Sequence, residues 1–353
     1  MKTKQYLLAG LGFLLCWAAQ NATAQDLHFS QFWETPLLRN PSLLGMAKGD
    51  YEATALYREQ WKSIGSAFST ALLHAQVRRP VRLSQNDSDP NDYLSFGLAA
   101  YTDRSGSIGL RTTAVYPAIA FNKSLGGERQ RYLSLGFTGG YLQRSFDVSQ
   151  MTVDNQWING GFVAGAATRE NLPNPKLQTW DLGAGLTYSS AFGMDNRHMI
   201  RAGLAAFNLT RPRWNFRQED PPVNRATRWN ASLSAAFRTG ENWQIESHVN
   251  LMWQGKATEL VGGAIVNWLH PTGRYDNNAF SIGAGAFYRY QDALTPVVRL
   301  NYRNFTLTAA YDVTVSTLRA ATALRGGYEM SLLYSGLFYD PKSERGRTSC
   351  TAF

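Results

Sequence analysis

Long apolar runs are missing from this chain beyond its first residues. After residue 24, no window of about 18 residues is continuously apolar, which excludes a membrane-spanning helix. Charged residues make up only 17% of the chain, whereas aromatic residues reach 13% and glycine numbers 31. Together with a mean hydropathy of -0.31, this composition favours a β-barrel with a wet interior and an apolar exterior.

Cysteine is nearly absent, since the chain has only Cys16 and Cys350. Residues 1–24 follow the order of a secretory signal peptide, with lysines first, then an apolar run, then Ala22-Thr23-Ala24. Cleavage after residue 24 removes Cys16. The mature chain then has one thiol, which excludes an internal disulfide.

Signals for metal binding or catalysis are also lacking. The five histidines are widely separated and predict independent loop or rim positions instead of a metal or cofactor site. The turn at residues 86–92 alternates oxygen ligands as a calcium loop does, but it lacks the central glycine and the distal glutamate, so a solvated turn is favoured. No nucleophile elbow or other local catalytic signature is found, which leaves a Ser, His and acid constellation assembled across strands as the remaining enzymatic alternative.

Basic residues are in excess, with a formal net charge of +9. The arginines are scattered along the chain instead of forming a run. This distribution argues against nucleic acid as a partner and favours a solvated, lipid-facing or partner-facing surface.

Strict alternation of apolar and small polar residues is the main structural signal. From Thr179 to Tyr188, one face has Trp, Leu, Ala, Leu and Tyr, and the other has Thr, Asp, Gly, Gly and Thr. An aromatic at each end of an apolar face is typical of a membrane strand. About fourteen strands are predicted, near 51–58, 66–76, 93–103, 109–121, 131–143, 179–189, 197–208, 226–237, 243–254, 258–268, 277–290, 294–302, 305–312 and 321–334.

This count predicts an all-β, outer-membrane antiparallel β-barrel with both termini in the periplasm. Segments 143–178 and 209–225 then become outer loops, and residues 77–92 form a longer periplasmic connection. Alternation alone does not orient the faces, and a soluble barrel would place its large apolar side chains inward. The small, glycine-rich polar face favours the membrane alternative, because a soluble barrel would have more charges there.

The segment before the first strand has a different character. Pro36 and Pro41 remove two donors that a membrane strand would need, so residues 25–50 are predicted to lie in the lumen or the periplasm. Such an arm either fills the barrel mouth or engages a partner. The predicted division is a signal peptide (1–24), an N-terminal arm or plug (25–50), a transmembrane barrel (51–339) and a periplasmic tail (340–353).

Two blocks of residues carry a family resemblance. The first comprises Gln25-Asp26, Phe29-Ser30-Gln31-Phe32, Pro36-Leu37, Asn40-Pro41, Tyr57-Arg58 and Gln60-Trp61; the second comprises Tyr311-Asp312, Ser316, Leu318, Gly326-Gly327-Tyr328-Glu329, Ser331-Leu332 and Tyr334. In order and spacing they resemble the PorP/SprF family, outer-membrane proteins of type IX secretion and gliding in Bacteroidetes. The last four residues, beginning at Cys350, resemble the family's Cys-Pro-x-Phe ending, with Thr351 in place of proline.

The resemblance implies a non-enzymatic component of type IX secretion, embedded in outer-membrane lipid. Its partners would be periplasmic ring proteins and secreted proteins with C-terminal sorting domains. The candidate partner-binding residues are Phe29, Phe32, Trp33, Tyr57, Arg58, Trp61, Trp157 and Phe162. The alternative function is a passive porin or uptake channel, which would need an open, charged lumen.

Some of these residues have a structural alternative. Arg58 and Trp61 flank the first outward turn and could fix its register. Trp157 and Phe162 could pack a compact outer loop. Arg325 and Glu329 are predicted to face the lumen as a structural pair, with Glu329 meeting Arg325 or another luminal arginine, because a charge inside a barrel must be hydrated or paired.

Overall fold

The protein is a closed barrel of fourteen antiparallel strands. The computed structural model describes residues 27–47, 49–60, 68–81, 91–106, 108–126, 130–163, 165–166, 175–193, 196–216, 223–270, 280–316 and 325–338. The strands are β1 (Tyr51–Gln60), β2 (Phe68–Pro80), β3 (Tyr93–Ser105), β4 (Leu110–Ser124), β5 (Arg131–Ser145), β8 (Lys176–Phe192), β9 (His198–Phe207), β10 (Arg228–Thr239), β11 (Trp243–Gln254), β12 (Ala257–Leu269), β13 (Phe280–Arg289), β14 (Ala293–Tyr302), β15 (Phe305–Thr314) and β16 (Arg325–Gly336), while β6 (Trp157–Ile158) and β7 (Gly161–Phe162) form a separate hairpin.

Each barrel strand pairs with its neighbour along the chain, and β1 closes the barrel against β16. In that closing pair Tyr51 lies opposite Gly336 and Arg58 lies opposite Glu329. Because the strand number is even, β1 begins and β16 ends at the same end of the barrel. We call this the terminal end and the opposite one the far end. The strand ends that lead into the connections from β5 to β8 and from β9 to β10 are at the far end.

The outward face of the barrel is apolar. Leu73, Leu182, Leu204 and Val298 are among its exposed side chains. Aromatic residues collect at both ends of this face, with Tyr51 near Tyr334 at the terminal end and Trp229 stacked on Trp253 at the far end. Two aromatic girdles around an apolar band are typical of a membrane barrel, so the large apolar side chains face lipid and not a core.

Residues 27–47 lie inside the barrel and are called the luminal segment. It contains short helical turns at Phe32–Glu34, Pro36–Arg39 and Pro41–Leu43. Each proline stands at the first position of its turn, where a missing N–H costs little and the fixed φ suits a helix. Leu37, Leu44 and Phe29 belong to an apolar cluster with Leu72 and neighbouring wall residues.

The predicted fold is confirmed, including the number of strands. Alternation located all fourteen, and most observed bounds lie within a few residues of those predicted. The faces also follow the prediction: Thr187 and Asp181 are buried toward the lumen, whereas Trp180 and Leu182 are exposed. In the described residues no helix has both the length and the apolar character to cross a membrane.

Candidate functional site: the filled lumen and the far-end hairpin

Glu329 of β16 holds the start of the luminal segment. Its two carboxylate oxygens accept hydrogen bonds from the backbone N–H groups of Ser30 (2.7 Å) and Gln31 (2.8 Å). The Gln31 side chain donates to the Glu329 carbonyl oxygen at 3.0 Å and accepts from the Ser331 hydroxyl at 2.7 Å. The segment is thus attached to the inner face of β16 by hydrogen bonds that each involve a side chain, and it does not pair with β16 as a strand.

Glu329 also belongs to a buried charge network. Arg58 Nε lies 3.0 Å from Glu329, and Arg58 Nη2 lies 3.4 Å from Asp312. Arg289 binds Asp312 from the other side at 2.9 Å, and the Ser30 hydroxyl donates to Asp312 at 2.7 Å. Each carboxylate therefore has a cationic partner, which buried charges require because desolvation of an unpaired ion is costly.

A second network lies nearer the terminal end. Arg299 of β14 binds Glu34 of the luminal segment at 3.0 Å and Glu246 of β11 at 2.6 Å. The Trp33 indole N–H donates to Glu34 at 3.0 Å, and the Trp33 ring stacks on Phe287 with centroids 4.1 Å apart. One ion pair and one aromatic stack therefore fix this turn of the segment to the neighbouring strands β13 and β14.

The turn at Asn40 and Pro41 is held by hydrogen bonds to the wall. The Asn40 amide donates to the Thr187 hydroxyl at 3.1 Å and to the Leu204 carbonyl at 3.3 Å. Its oxygen accepts from the backbone N–H of Ser42 at 3.0 Å, which caps the following helical turn. The Ser42 hydroxyl closes the ring by pairing with Thr187 at 2.7 Å.

Glycines of the wall make space for this turn. A Cβ at Gly136 would lie 2.5 Å from the Pro41 carbonyl oxygen, and one at Gly203 would lie 2.8 Å from the Asn40 amide nitrogen. A real side chain at either position would overlap the segment. The glycine-rich inward face therefore accommodates the segment at these two positions instead of leaving an aqueous opening.

Carbonyl groups of the segment are satisfied by donors of the wall. Arg228 donates to the Leu38 oxygen at 3.0 Å and Asn230 donates to the Arg39 oxygen at 2.7 Å. Further along, Asn122 donates to Leu44 at 3.2 Å, and Arg201 donates to Met46 at 2.9 Å. Buried backbone groups need such partners, so the irregular path of the segment is compatible with its burial.

The far end presents a small hairpin formed by β6 and β7. Its turn has positive φ at Asn159 (52°) and Gly160 (77°), as a tight two-residue hairpin turn requires. Gln156 is buried beneath it and donates to the Ala166 carbonyl at 3.0 Å. Trp157 is 64% exposed and Phe162 is 47% exposed, so both rings present much of their surface to the outside. That they bind a partner stays a prediction.

The predicted site residues that the structure describes lie in the lumen, in the far-end aromatic girdle and on the far-end hairpin. Phe29 and Phe32 are buried in the lumen. Tyr57 faces outward in the far-end girdle beside Tyr328, and Arg58 faces inward. That the rings of the arm bind a partner stays a prediction, because here they contact the barrel wall. Glu329 pairs with Arg58, another luminal arginine as the sequence allowed.

Several features predicted from the sequence lie outside the described residues. These are the signal peptide, the oxygen-rich turn up to residue 90, Trp61, the side chain of Arg325, and the tail with Cys350. Among the described residues, no group of three or more His, Cys, Asp or Glu side chains is arranged to hold a metal ion.

Sequence reasoning missed most of the luminal network. Its charged members lie at positions that face inward in the alternation of their strands: Asp312, Arg289, Arg299 and Glu246. A charged residue at an inward position of a predicted strand was therefore the signal that could have found them. The predicted locations of two histidines were wrong. His74 and His248 are not in loops or at the rim, but are buried on the inward faces of β2 and β11.

A closed barrel with an apolar, aromatic-girdled exterior and a polar, filled interior defines an outer-membrane β-barrel protein. A sequence model of the type IX secretion system membrane protein PorP/SprF matches residues 21–334. The chain belongs to the PorP/SprF family. No match was found among curated proteins.

Similar solved structures are also outer-membrane barrels, at low similarity. The toluene transporter TbuX of Ralstonia pickettii is 12% identical, with a TM-score of 0.44, covering 84% of this chain and 92% of that one. The β domain of the Bordetella autotransporter BrkA is 14% identical, with a TM-score of 0.42, covering 82% and 99%. CdiB from Acinetobacter baumannii is 8% identical, with a TM-score of 0.42, covering 81% of this chain and 60% of CdiB. Likeness at this level does not bear on function.

Proposed function

We propose that this chain is a non-enzymatic docking component of type IX secretion, closed to solutes by its own luminal segment. The terminal end faces the periplasm and contacts the periplasmic ring proteins of the machinery. The far end faces outward and holds an exported protein with a C-terminal sorting domain. The single observation that carries this proposal is the filled lumen, because a barrel made for solute passage would keep its interior open.

The way the lumen is filled supports this assignment. The luminal segment binds Glu329, Arg299 and Thr187 on different strands of the barrel wall. Near the far end, the guanidinium carbons of Arg144 and Arg225 lie 4.2 and 4.1 Å from the centroid of the Trp214 ring. These contacts make a passive porin the weaker alternative.

The far-end hairpin supports the docking step. Trp157, Ile158, Phe162 and Val163 are exposed together on a hairpin whose backbone is fixed by the buried Gln156. A group of exposed aromatic and aliphatic side chains is the kind of surface that provides interface hot spots. In the proposed orientation this surface lies outside the cell.

Conductance distinguishes docking from solute passage. Single channels of the full chain in planar bilayers should stay closed, and removal of residues 25–45 should open them because the segment then no longer occupies the lumen. A full-length barrel that is already open at the same level would support the porin alternative.

Secretion itself is tested in the native host. A deletion strain is complemented with the wild-type gene, with a Trp157→Ala, Phe162→Ala double variant, or with Val148→Ala as a control in the same loop. Mass spectrometry of surface and medium proteins should show one or more sorting-domain proteins lost from the surface in the deletion strain and in the double variant only. An unchanged exported set in the deletion strain contradicts the proposed function.

A further inference from the structure

A polar cavity lies between the luminal segment and the wall, toward the terminal end. Its volume is about 120 Å³, and its lining includes Arg39 and Met46 of the segment together with Arg201 and His248 of the wall. One water needs roughly 10–15 Å³ by this kind of measure, so the space admits a small polyatomic group.

Arg39 is a buried cation of this cavity whose guanidinium group lacks acceptors for some of its donors among the described residues. Its side chain is 7% exposed, and its Nε and Nη1 atoms have no hydrogen-bond partner within the described part of the chain. The guanidinium lies 5.7 Å from the centroid of the Phe32 ring. A buried guanidinium with unfilled donors is costly unless an acceptor reaches it.

A second cation lies beside it. Arg201 of β9 is 7% exposed and is oriented by the hydrogen bond from its Nη2 to the Met46 carbonyl oxygen, 2.9 Å long. Burial, together with the positive charge of Arg201, lowers the pKa of Arg39 to about 9. Arg39 is therefore still charged at neutral pH, and both guanidinium groups favour a negative group between them.

The acidic side chains of the cavity are already engaged. Glu34 and Glu246 are bound by Arg299 at 3.0 and 2.6 Å, and Glu52 accepts a hydrogen bond from Gln76 at 3.0 Å. An incoming anion would therefore be repelled from the Arg299 side and drawn to the side of Arg39 and Arg201.

We propose that this cavity binds a small oxyanion, the carboxylate or phosphate type of group, between Arg39 of the luminal segment and Arg201 of β9. Guanidinium groups match the geometry of both types of oxyanion. Because one arginine belongs to the segment and the other to the wall, the bound anion joins the two. Binding therefore stabilises the filled state of the barrel by linkage. This inference does not depend on what the far-end hairpin binds.

Calorimetric titration of the purified full chain in detergent tests the site, with inorganic phosphate and acetate as separate probes. Wild type should show saturable binding of at least one probe, and the tighter probe identifies the source of the oxyanion. Arg39→Gln and Arg201→Gln should each weaken binding about tenfold or more, since each removes a charged donor. Arg238→Gln, which changes an exposed arginine at the same end of the barrel, should bind as wild type does.

A second readout separates binding from a purely structural role of Arg39. The tighter probe should raise the melting temperature of wild type and of Arg238→Gln, but not that of Arg39→Gln. Absence of saturable binding in wild type would mean that water alone fills the cavity, and equal binding in Arg39→Gln would mean that the probe binds elsewhere. Either result would overturn the proposal. If Arg39→Gln does not fold, anomalous diffraction from wild-type crystals soaked in selenate decides: a peak bridging both guanidinium groups supports the site, and its absence there rejects it.

Discussion

Replacing Gly136 by alanine tests whether the inner wall is shaped for the luminal segment. The added Cβ would lie 2.5 Å from the Pro41 carbonyl oxygen and even closer to the Pro41 carbonyl carbon and the Ser42 nitrogen. These are backbone atoms and cannot swing aside, and Ser42 is also held by Asn40 and Thr187. Either the turn or β5 must move.

The expected cost follows from overpacking. Extra methyl groups forced into a well-packed interior destabilise proteins by about 1–3 kcal/mol. Gly139 on the same strand provides the matched control, because a Cβ there meets only Leu182 Cδ2 at 3.7 Å, an ordinary contact. Gly139→Ala is therefore expected to stay within about 0.5 kcal/mol of wild type, or to be slightly more stable through the lower backbone entropy of the unfolded chain.

Urea unfolding in lipid vesicles, followed by tryptophan fluorescence, measures both free energies. Single-channel recordings of the same preparations show whether the displaced segment opens the lumen. Equal unfolding free energies for Gly136→Ala and Gly139→Ala would refute the reasoning, since the segment would then not occupy the space beside Gly136.

Three further substitutions probe other contacts. Glu329→Ala removes the acceptor of two backbone N–H groups and one partner of Arg58, and should lower the free energy of unfolding by about 3–5 kcal/mol; an unchanged melting temperature in detergent, equal to that of the exposed control Glu241→Ala, would contradict the pairing. Trp33→Ala removes the stack on Phe287 and should cost about 3–5 kcal/mol, and a loss below about 1 kcal/mol by the same urea assay would show that the ring is not packed. Trp157→Ala should change stability by no more than about 0.5 kcal/mol because the ring is exposed, while the amount of exported protein recovered with the barrel should fall; a large loss of stability would mean that the ring packs the loop after all.

The strands and their faces could be predicted from the sequence because they depend on local pattern. Alternation with period two fixes which residues share a face, and the aromatic ends mark the membrane interfaces. Pro36 and Pro41 excluded the arm from the strands for an equally local reason, the missing donors. The family blocks placed Asn40-Pro41 and Glu329 among the residues of interest.

The path of the luminal segment could not be predicted in this way. Ser30 and Glu329 are 299 positions apart, and they meet only because β16 closes on β1 and the segment runs inside that closure. Glycine, Ser and Thr on the inward face were compatible with an open channel as well as with a filled one. Gly136 and Thr187 were explained only by the turn at Asn40 that they contact.

By itself the sequence determined that this chain is a fourteen-stranded outer-membrane barrel of the PorP/SprF family with an arm that is not a strand. Tertiary structure alone decided which arginine pairs with which carboxylate, which rings are buried and which are exposed, and that Arg39 is left facing a cavity. The physical reason is the range of the interactions. Strand pattern is set by neighbours two residues apart, whereas the partners inside a closed barrel are set by register and closure across the whole chain.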